Sequence, residues 1–312
     1  MESDIVKSYR KASFGESTRR ALVTGCGGVL GYALVQRLLV DGWHVIGTTR
    51  SGNVPIGLQI NEQFAIFSVE LTNVNSIEKL IAELEFDIIF HLAANNDNSI
   101  PEGGPIPIMM DNILGTLNLL EAVRKNAPQS AVVMTSSVES SYASDRNASL
   151  TPYQCSKLTV ELLAQCYRDS YGISCGVIQL TNVYGPADKN NRRLIPYCIR
   201  KLASCEPLEI FSPLDTSRDF LFSEDAAEAL LVASDNASFL SGQMFSVSSG
   251  LQVRIGDLIC FLRSIANGNL FKEINIQTKD SKNFKYPSLT NWKPKVTIEN
   301  GLIKTWNWYK KN

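Results

Sequence analysis

An apolar run, a cluster of glycines and a second apolar run at helical spacing follow one another over residues 21–39, ALVTGCGGVLGYALVQRLL. A glycine-rich turn between a strand and a helix lets backbone N–H groups and the helix N-terminus face an anion. We expect Gly25 to allow a tight turn, Gly28 to let a phosphate approach, and Gly31 to let the helix lie close to the strand. The stretch therefore predicts a dinucleotide phosphate site.

Short apolar runs alternate with helical patterns through the first half of the chain. This alternation is typical of βαβ units, in which ligands bind at the carboxyl ends of the strands. It predicts an α/β fold with a doubly wound parallel sheet, that is, a Rossmann fold. The predicted strands are 21–24, 43–48, 64–69, 86–91, 131–135 and 173–180, and the predicted helices are 30–40, 76–84, 108–125 and 152–171.

The pattern changes after the TNVYGP stretch at 181–186. The sequence then predicts helices at 194–204, 223–234 and 255–267, and strands at 208–211 and 244–248, of which the latter could return to the main sheet. The predicted units are a polar N-terminal extension over 1–19, a dinucleotide-binding domain over 20–182 and about 219–250, and a smaller discontinuous C-terminal substrate lobe over 183–218 and 251–312.

The composition argues against several classes of protein. The formal net charge is −1, which provides no basic surface for nucleic acid or for a membrane. No apolar run approaches the roughly 18 residues that cross a bilayer. The seven cysteines contain no C-x-x-C pair, and only two histidines are present, so we expect reduced thiols, no metal centre and a cytoplasmic location.

The predicted end of the second strand carries no acidic residue. Its sequence is Thr48, Thr49, Arg50 and Ser51. At this place in a Rossmann fold a carboxylate binds the ribose of NAD, whereas an arginine accommodates the 2′-phosphate of NADP. We therefore expect NADP(H), with NAD(H) as the alternative. A solvated Arg50 that touches no cofactor would fit the pattern as well.

Tyr153 and Lys157 lie four residues apart in the stretch YQCSK, so their side chains are neighbours on one helix face. A free phenol has a pKa near 10 and is a weak acid–base group at neutral pH. A nearby ammonium favours the phenolate and lowers that pKa. The pair predicts an acid–base tyrosine, although the same spacing is common by chance.

Seven motifs carry a resemblance that extends from about Arg20 to the end of the chain. They are TGCGGVLG at 24–31, FHLAA at 90–94, DNILGTLNLLEA at 111–122, VVMTSS at 132–137, YQCSK at 153–157, NVYGP at 182–186 and RDFLFSEDAAEAL at 218–230. In this order and spacing the chain resembles the extended short-chain dehydrogenase/reductases, a family of nucleotide-sugar epimerases, dehydratases and reductases.

The resemblance implies roles for individual residues. Tyr153 is similar to the acid–base tyrosine of the family, and Lys157 to the lysine that holds the nicotinamide ribose. Ser137, with Ser136 as the alternative, resembles the hydroxyl that binds the reacting sugar oxygen. Asn112 resembles an asparagine that supports the site through its helix.

Further positions resemble the ligand contacts of the family. They include residues after the fourth strand that line the cofactor, an Asp-Leu position that faces adenine, and residues that bind the substrate diphosphate. The implied cofactor contacts are Gly25, Gly28, Val29, Leu30, Gly31, Arg50, Glu70, Leu71, Leu92, Ala93, Ala94, Tyr153 and Lys157, and the implied substrate contacts are Ser137, Asn182 and Arg218.

Three departures concern the sugar-facing side. Gln179 stands where the family often has arginine, and residues 95–97 (Asn-Asn-Asp) stand where it commonly has Ser-His. The dehydratases carry an Asp-Glu pair after the strand threonine, whereas here Thr135 is followed by two serines. Glu139 could supply one carboxylate, or it could be a surface acid.

The combined features predict a nucleotide-sugar oxidoreductase. We expect an NADPH-dependent reductase of a 4-keto-6-deoxy nucleotide sugar, in which Tyr153 moves the proton. The alternatives are a 4-epimerase or dehydratase of the same family, and a non-catalytic regulator that binds NADP(H). The expected partner is a nucleotide-diphosphate sugar, and the resemblance implies a homodimer formed through helices 108–125 and 152–171.

Overall fold

The computed structural model describes residues 19–96, 104–144, 150–268, 276–281 and 284–312. The predicted extension over 1–19 lies outside these residues, except for Arg19. The Arg19 guanidinium covers the Trp43 ring, with its central carbon 4.0 Å from the ring centroid, and pairs with Asp235 at 3.1 Å.

The strands form two sheets, a larger one in the dinucleotide-binding half and a smaller one beside it. They are β1 (Arg20–Thr24), β2 (His44–Thr49), β3 (Phe64–Ser68), β4 (Ile88–His91), β5 (Ala131–Ser137), β6 (Cys175–Leu180), β7 (Asn182–Tyr184), β8 (Ser217–Phe222), β9 (Phe245–Val247), β10 (Leu251–Arg254) and β11 (Thr278–Asp280).

The larger sheet has seven strands in the order β3-β2-β1-β4-β5-β6-β9, and every pairing in it is parallel. Its central strands are buried on both faces, which explains why β1 and β4 read as continuous apolar runs. The strand order reverses between β1 and β4, and a doubly wound sheet has its ligand crevice at that point. The predicted doubly wound fold is confirmed.

Helices cover both faces of this sheet and build the second lobe. They are α1 (Val29–Val40), α2 (Val74–Glu83), α3 (Ile106–Asn126), α4 (Pro152–Tyr171), α5 (Leu194–Ala203), α6 (Ser223–Ser234), α7 (Ala237–Leu240), α8 (Ile255–Ala266) and α9 (Ile298–Lys311). Apolar side chains of α1 and α6 pack in one layer, and those of α2, α3 and α4 pack in the other. The sheet is therefore buried between two helical layers.

Helix α3 is interrupted by a π-helical turn at Met110–Leu114. By its length and its mean hydropathy of 1.2, α3 is apolar enough to cross a membrane, although no such stretch was expected from the sequence. Half of that stretch is buried inside the protein, and α3 packs against α2 and α4. We therefore describe α3 as a core helix, since buried core helices meet the same criterion.

Helix α4 has well-defined ends. The Thr151 hydroxyl accepts a hydrogen bond from the Gln154 N–H at 3.2 Å, and the Gln154 side chain accepts one from the Thr151 N–H at 2.9 Å. This capping box and Pro152 in the first turn fix where the helix begins. The helix ends at Gly172, whose φ of +67° suits a left-handed cap. The first turn of α4, which carries Tyr153, is thus held in place.

The second lobe contains the smaller sheet, in the order β11-β10-β8-β7, and helices α5, α8 and α9. The predicted strand at 208–211 is wrong. Pro207 and Pro213 flank that stretch and supply no N–H donors for a ladder, and the Phe211 side chain is 93% exposed. The predicted return of 244–248 to the main sheet is confirmed by β9, whereas β8 lies wholly in the smaller sheet.

Candidate active site

A cleft of about 1510 Å³ opens at the carboxyl ends of the central strands and extends toward the second lobe. Its walls carry every site residue that the sequence predicted except Asn112. One end is formed by the glycine turn and by the ends of β2 and β3. The other end is formed by the end of β5, the start of α4, and residues of β7 and β8. The glycine turn and the Tyr-Lys pair therefore share one cavity.

The glycine turn depends on close backbone contacts. Gly25 has a φ of +69°, and a Cβ atom there would lie 2.7 Å from the Ala93 Cα. A Cβ atom on Gly31 would lie 2.4 Å from the Gly25 carbonyl oxygen. Gly28 is the N-cap of α1 with no capping side chain, and the first turn of α1 has no acidic residue. The helix N-terminus is thus open to an anion.

The adenosine end of the cleft also has the character of a ligand site. The Thr49 Oγ1 atom is buried and forms no hydrogen bond within the described part of the chain. Thr49 lines the cleft next to Arg50. A buried hydroxyl without a partner is costly, and a polar ligand would satisfy it. Together with the open helix N-terminus, this arrangement fits a dinucleotide coenzyme.

Arg50 is already engaged by two carboxylates. Its Nη2 atom lies 2.8 Å from Asp111 Oδ2, and its Nε atom lies 3.9 Å from Glu70 Oε2. The Ser68 hydroxyl donates to the Arg50 carbonyl at 2.6 Å. A 2′-phosphate at this place would have to displace Asp111 and would then stand near two negative charges. The geometry therefore weakens the argument that Arg50 selects NADP(H).

His91 connects the glycine turn to α3 through a chain of hydrogen bonds. The Thr116 hydroxyl donates to the Asn112 carbonyl, so it accepts from His91 Nε2 at 2.9 Å. The Thr24 hydroxyl donates to His91 Nδ1 at 2.8 Å and accepts the Ala93 N–H at 3.2 Å. Burial, together with the nearby Lys157 charge, lowers the pKa of His91 to about 3. His91 is thus a neutral structural residue.

Tyr153 and Ser137 meet where β5 ends and α4 begins. The Ser137 hydroxyl lies close enough to the phenol of Tyr153 to act on its pKa. Burial and the nearby Glu139 carboxylate raise the pKa of Tyr153 to about 12, whereas Arg193 and Ser137 lower it. The lowered pKa that the sequence predicts beside an ammonium and a bound coenzyme is not seen in the free protein, because desolvation outweighs the positive charges. Tyr153 is therefore a protonated phenol at neutral pH.

The ammonium of Lys157 lies beneath this pair. Its Nζ atom donates to the Thr135 carbonyl at 3.1 Å and lies 5.9 Å from the centroid of the Tyr153 ring. Burial lowers the pKa of Lys157 to about 8, while Glu161 opposes that shift. Lys157 therefore carries its positive charge at neutral pH, close to the phenol.

Asn112 lies behind the cleft, in the π-helical turn of α3. Its side-chain amide donates to the Asn95 carbonyl and to the Ser156 hydroxyl, both at 2.9 Å, and its oxygen accepts the Asn95 N–H at 2.6 Å. The structure thus makes Asn112 a positioning residue that joins the segment after β4 to α4. Asp97, in the neighbouring departure from the family pattern, lies outside the described residues.

The far end of the cleft is where the sequence predicted substrate contacts. Arg218 is exposed on β8, and the Asn182 amide donates to the Asp219 carbonyl at 3.2 Å; both residues line the cleft. The sequence did not single out Arg193, which precedes α5, pairs with Asp188 at 2.8 Å and acts on Tyr153. The only signal for Arg193 was its place in a polar loop.

Comparisons with known proteins agree with this geometry. The family model described as "NAD dependent epimerase/dehydratase family" matches residues 21–248. A UDP-glucuronate 4-epimerase of Thermodesulfobacterium geofontis is 26% identical, over 93% of this chain and 96% of its own. A UDP-glucose 4-epimerase of Mycolicibacterium smegmatis is 27% identical, over 92% and 97% respectively.

Among solved structures, Bordetella bronchiseptica WbmF in complex with NADH has a TM-score of 0.78 and is 26% identical. The similarity covers 95% of this chain and 93% of WbmF. The family model, which matches most of the chain, assigns it: the protein belongs to the NAD-dependent epimerase/dehydratase family of extended short-chain dehydrogenases/reductases.

Proposed function

We propose that this protein is a nucleotide-sugar 4-epimerase that works with NAD. The observation that carries the proposal is the grouping of Ser137, Tyr153 and the Lys157 ammonium in the same cleft as the glycine turn. The two epimerase relatives, which match almost the whole chain, support the choice of reaction. When bound, the coenzyme would accept a hydride from the sugar carbon and return it.

The side chains of the cleft suit proton transfer at one sugar oxygen. Tyr153 takes the proton of the sugar hydroxyl during oxidation and returns it during reduction, and Ser137 orients that oxygen. A phenol with a pKa near 12 must be assisted to act as a base. Lys157 and Arg193 supply positive charge on its side of the cleft, which stabilises the phenolate.

The coenzyme phosphates would rest at the N-terminus of α1, and the adenosine ribose would lie near Thr49. We propose NAD over NADP because Asp111 and Glu70 already oppose the Arg50 charge. The NADPH-dependent reductase expected from the sequence relied on Arg50 as a phosphate ligand, so it becomes the alternative. Titration of the protein with NAD and with NADP tests this proposal, and tighter binding of NADP would overturn it.

A dehydratase is the second candidate, because one observation favours it. Glu139 lines the cleft and its carboxylate acts on the pKa of Tyr153, so it is no remote surface acid. Elimination of water from a sugar needs an acid–base group in addition to the tyrosine. Glu139 could be that group, although Ser136 and Ser137 stand where dehydratases have the Asp-Glu pair.

The substrate we propose is a nucleotide-diphosphate sugar. Arg218 is exposed at the end of the cleft opposite the glycine turn, and a guanidinium suits a diphosphate. Tyr153 lines the same cleft, so we place the sugar beside it.

Purified protein with NAD should therefore be incubated with UDP-glucose, UDP-glucuronate and dTDP-glucose, and the products separated by chromatography. Epimerisation at C4 without net reduction of the coenzyme is the expected result. Loss of one water by mass would indicate the dehydratase. Oxidation of added NADPH by a 4-keto-6-deoxy nucleotide sugar would indicate the reductase.

We further propose a homodimer that forms through the outer faces of α3 and α4. Large apolar side chains are exposed there, namely Ile106 (67%), Met110 (43%) and Leu162 (56%). Burial of this surface in a helical interface would offset the cost of its exposure. Light scattering after size exclusion should give twice the chain mass, and Leu162→Glu should yield monomers. A monomeric parent protein would contradict the proposal.

A further inference from the structure

A buried carboxylate lies directly behind the Tyr-Lys pair. Glu161 is one helical turn beyond Lys157 on α4 and is 7% exposed. Its Oε1 atom is 2.6 Å from the hydroxyl oxygens of both Ser136 and Ser140, and it accepts from Gln179 Nε2 at 2.9 Å. The proposed mechanism does not use this group, and a buried charge needs an explanation.

In the part of the chain that the structure describes, the hydrogen-bond partners of Glu161 are hydroxyl and amide groups. Besides the two serines and Gln179, the Tyr286 hydroxyl approaches, at 3.5 Å from Oε2. Within the described ranges, Glu161 forms no ion pair with a lysine or an arginine at 4.0 Å or less. The hydrogen bonds keep the carboxylate in place without neutralising it.

Lys157 is the buried cation that faces this carboxylate from the same helix. It is 6% exposed and its ammonium is held on the Thr135 carbonyl, and no carboxylate of the described residues lies within 4.0 Å of it. Ser136 connects the two positions, because its hydroxyl lies 2.6 Å from Glu161 and 3.4 Å from the Lys157 carbonyl. Two opposite buried charges one turn apart stabilise each other, and either one alone is costly.

The residue at position 179 leaves the charge of Glu161 to act on Lys157. A guanidinium at this position would neutralise the carboxylate. Gln179 instead donates hydrogen bonds to both Glu161 and Ser140 and carries no charge. Among the described residues, Lys157 is therefore the buried cation that balances the negative charge of Glu161.

The other titratable groups near Lys157 do not replace Glu161. His91, on β4, is neutral, since its pKa is held near 3. Tyr153, on α4, is a neutral phenol, and the charges of Glu139 and Arg193 act on that phenol. The Tyr286 hydroxyl faces Glu161, at 3.5 Å from Oε2.

We propose that Glu161 is a positioning residue: its buried carboxylate keeps Lys157 in the ammonium form on the Thr135 carbonyl and so sets the upper pH limit of coenzyme binding. The inference rests on the proposed function only for the role of Lys157 in turnover. Burial lowers the pKa of Lys157 and Glu161 raises it, as expected if the carboxylate stabilises the ammonium form.

The titration of Lys157 tests the proposal on the coenzyme-free protein. Protein labelled with ¹³C at the lysine Cε is followed by NMR against pH, and the Lys157 signal is assigned by its loss in Lys157→Met. We expect a midpoint near 8 in the parent protein. Glu161→Gln, which keeps the shape, should lower that midpoint by about one pH unit or more. An unchanged midpoint in a folded Glu161→Gln protein would overturn the proposal.

A second pair of variants covers the case in which Glu161→Gln does not fold. Gln179→Arg retains the carboxylate but neutralises it, so the Lys157 midpoint should fall as in Glu161→Gln. Gln179→Met has a similar length and no charge, and should leave the midpoint within about 0.3 units. Equal shifts in both Gln179 variants would mean that packing, not charge, acts on Lys157, and would contradict the proposal.

The affinity for NAD gives the functional readout. It should fall more steeply above neutral pH in Glu161→Gln than in the parent protein, while the two affinities agree at pH 6. The two proposals can fail separately. If no nucleotide sugar reacts but the midpoint of Lys157 moves as expected, only the proposed function is wrong; if sugars react and the midpoint stays, only the role of Glu161 is wrong.

Discussion

The two ends of the cleft are built in different ways. At the coenzyme end the backbone makes the site, because Gly25 and Gly31 bring a turn, a strand end and a helix into contact where no Cβ atom fits. At the sugar end the side chains make the site, and they come from β5, α4, β8 and the loop before α5. A backbone site is specified by glycine spacing, whereas a side-chain site is specified by contacts between distant residues. The first therefore depends on backbone space, and changes in the second can alter the reaction.

The largest effect should come from Tyr153→Phe at the sugar end. Removal of the phenol oxygen takes away the acid–base group, which is worth about 10²–10⁴ in rate. Turnover should fall by that factor while the affinity for NAD stays within about threefold, since the glycine turn is untouched. Tyr171→Phe at the exposed end of α4 is the matched control and should keep full turnover. A Tyr153→Phe protein with unchanged function would support a non-catalytic coenzyme-binding regulator.

A change at the coenzyme end should weaken the binding of NAD, which Tyr153→Phe leaves intact. In Gly31→Ala the new methyl group would meet the Gly25 carbonyl oxygen at 2.4 Å, so the turn must move away from α1. Overpacking of this kind costs about 1–3 kcal/mol of stability. We expect a lower melting temperature and weaker binding of NAD. Gly42→Ala, at a turn with open space around it, is the control and should retain NAD affinity. Equal NAD affinity in Gly31→Ala would show that the turn is not the phosphate site.

His91 connects the glycine turn to α3, and its lowered pKa should make the free energy of unfolding depend on pH. Its pKa is about 3 in the fold and near 6.5 in the unfolded chain. The unfolded state therefore binds the additional proton between these pH values, and the free energy of unfolding falls as the pH drops through this window. The contribution is up to about 1.4 kcal/mol per pH unit. Urea denaturation at several pH values measures the slope, which should be shallower in His91→Asn; equal slopes would exclude His91 as the source.

The smallest effect concerns coenzyme choice. In Asp111→Asn the Arg50 guanidinium loses its nearest carboxylate, and the preference for NAD over NADP should weaken by about three- to tenfold. Binding of both coenzymes to parent and variant measures the ratio. Asp41→Asn, which breaks the Arg37–Asp41 pair at the end of α1, is the control. A ratio that does not respond to Asp111→Asn would mean that the ion pair plays no part in selection.

Sequence patterns predicted local elements better than contacts between distant residues. Glycine spacing and apolar runs reflect local structure, so the strands around the glycine turn and the helix that carries Tyr153 were predicted correctly. The pairing of Arg50 with Asp111 joins residues 61 positions apart, and no local pattern reveals it. The strand expected at 208–211 was wrong because prolines flank this stretch and no neighbouring strand pairs with it among the described residues.

The burial of the Glu161 charge could not be predicted from the sequence either. Its spacing from Lys157 was visible in the sequence as an i, i+4 pair, which on most helices is an exposed ion pair. Only the fold shows that both residues are buried and that their partners come from β5, β6 and the segment around Tyr286.

The π-helical turn in α3 has a consequence for how this helix can change. The additional residue within Met110–Leu114 rotates the two parts of α3 by about 100° relative to a regular helix. One part can thereby direct Asp111 and Asn112 toward the cleft, while the other packs Leu119 and Leu120 into the core. A single-residue deletion here would restore a continuous helix and force a choice between those two orientations, so chain length at this point is as constrained as residue identity.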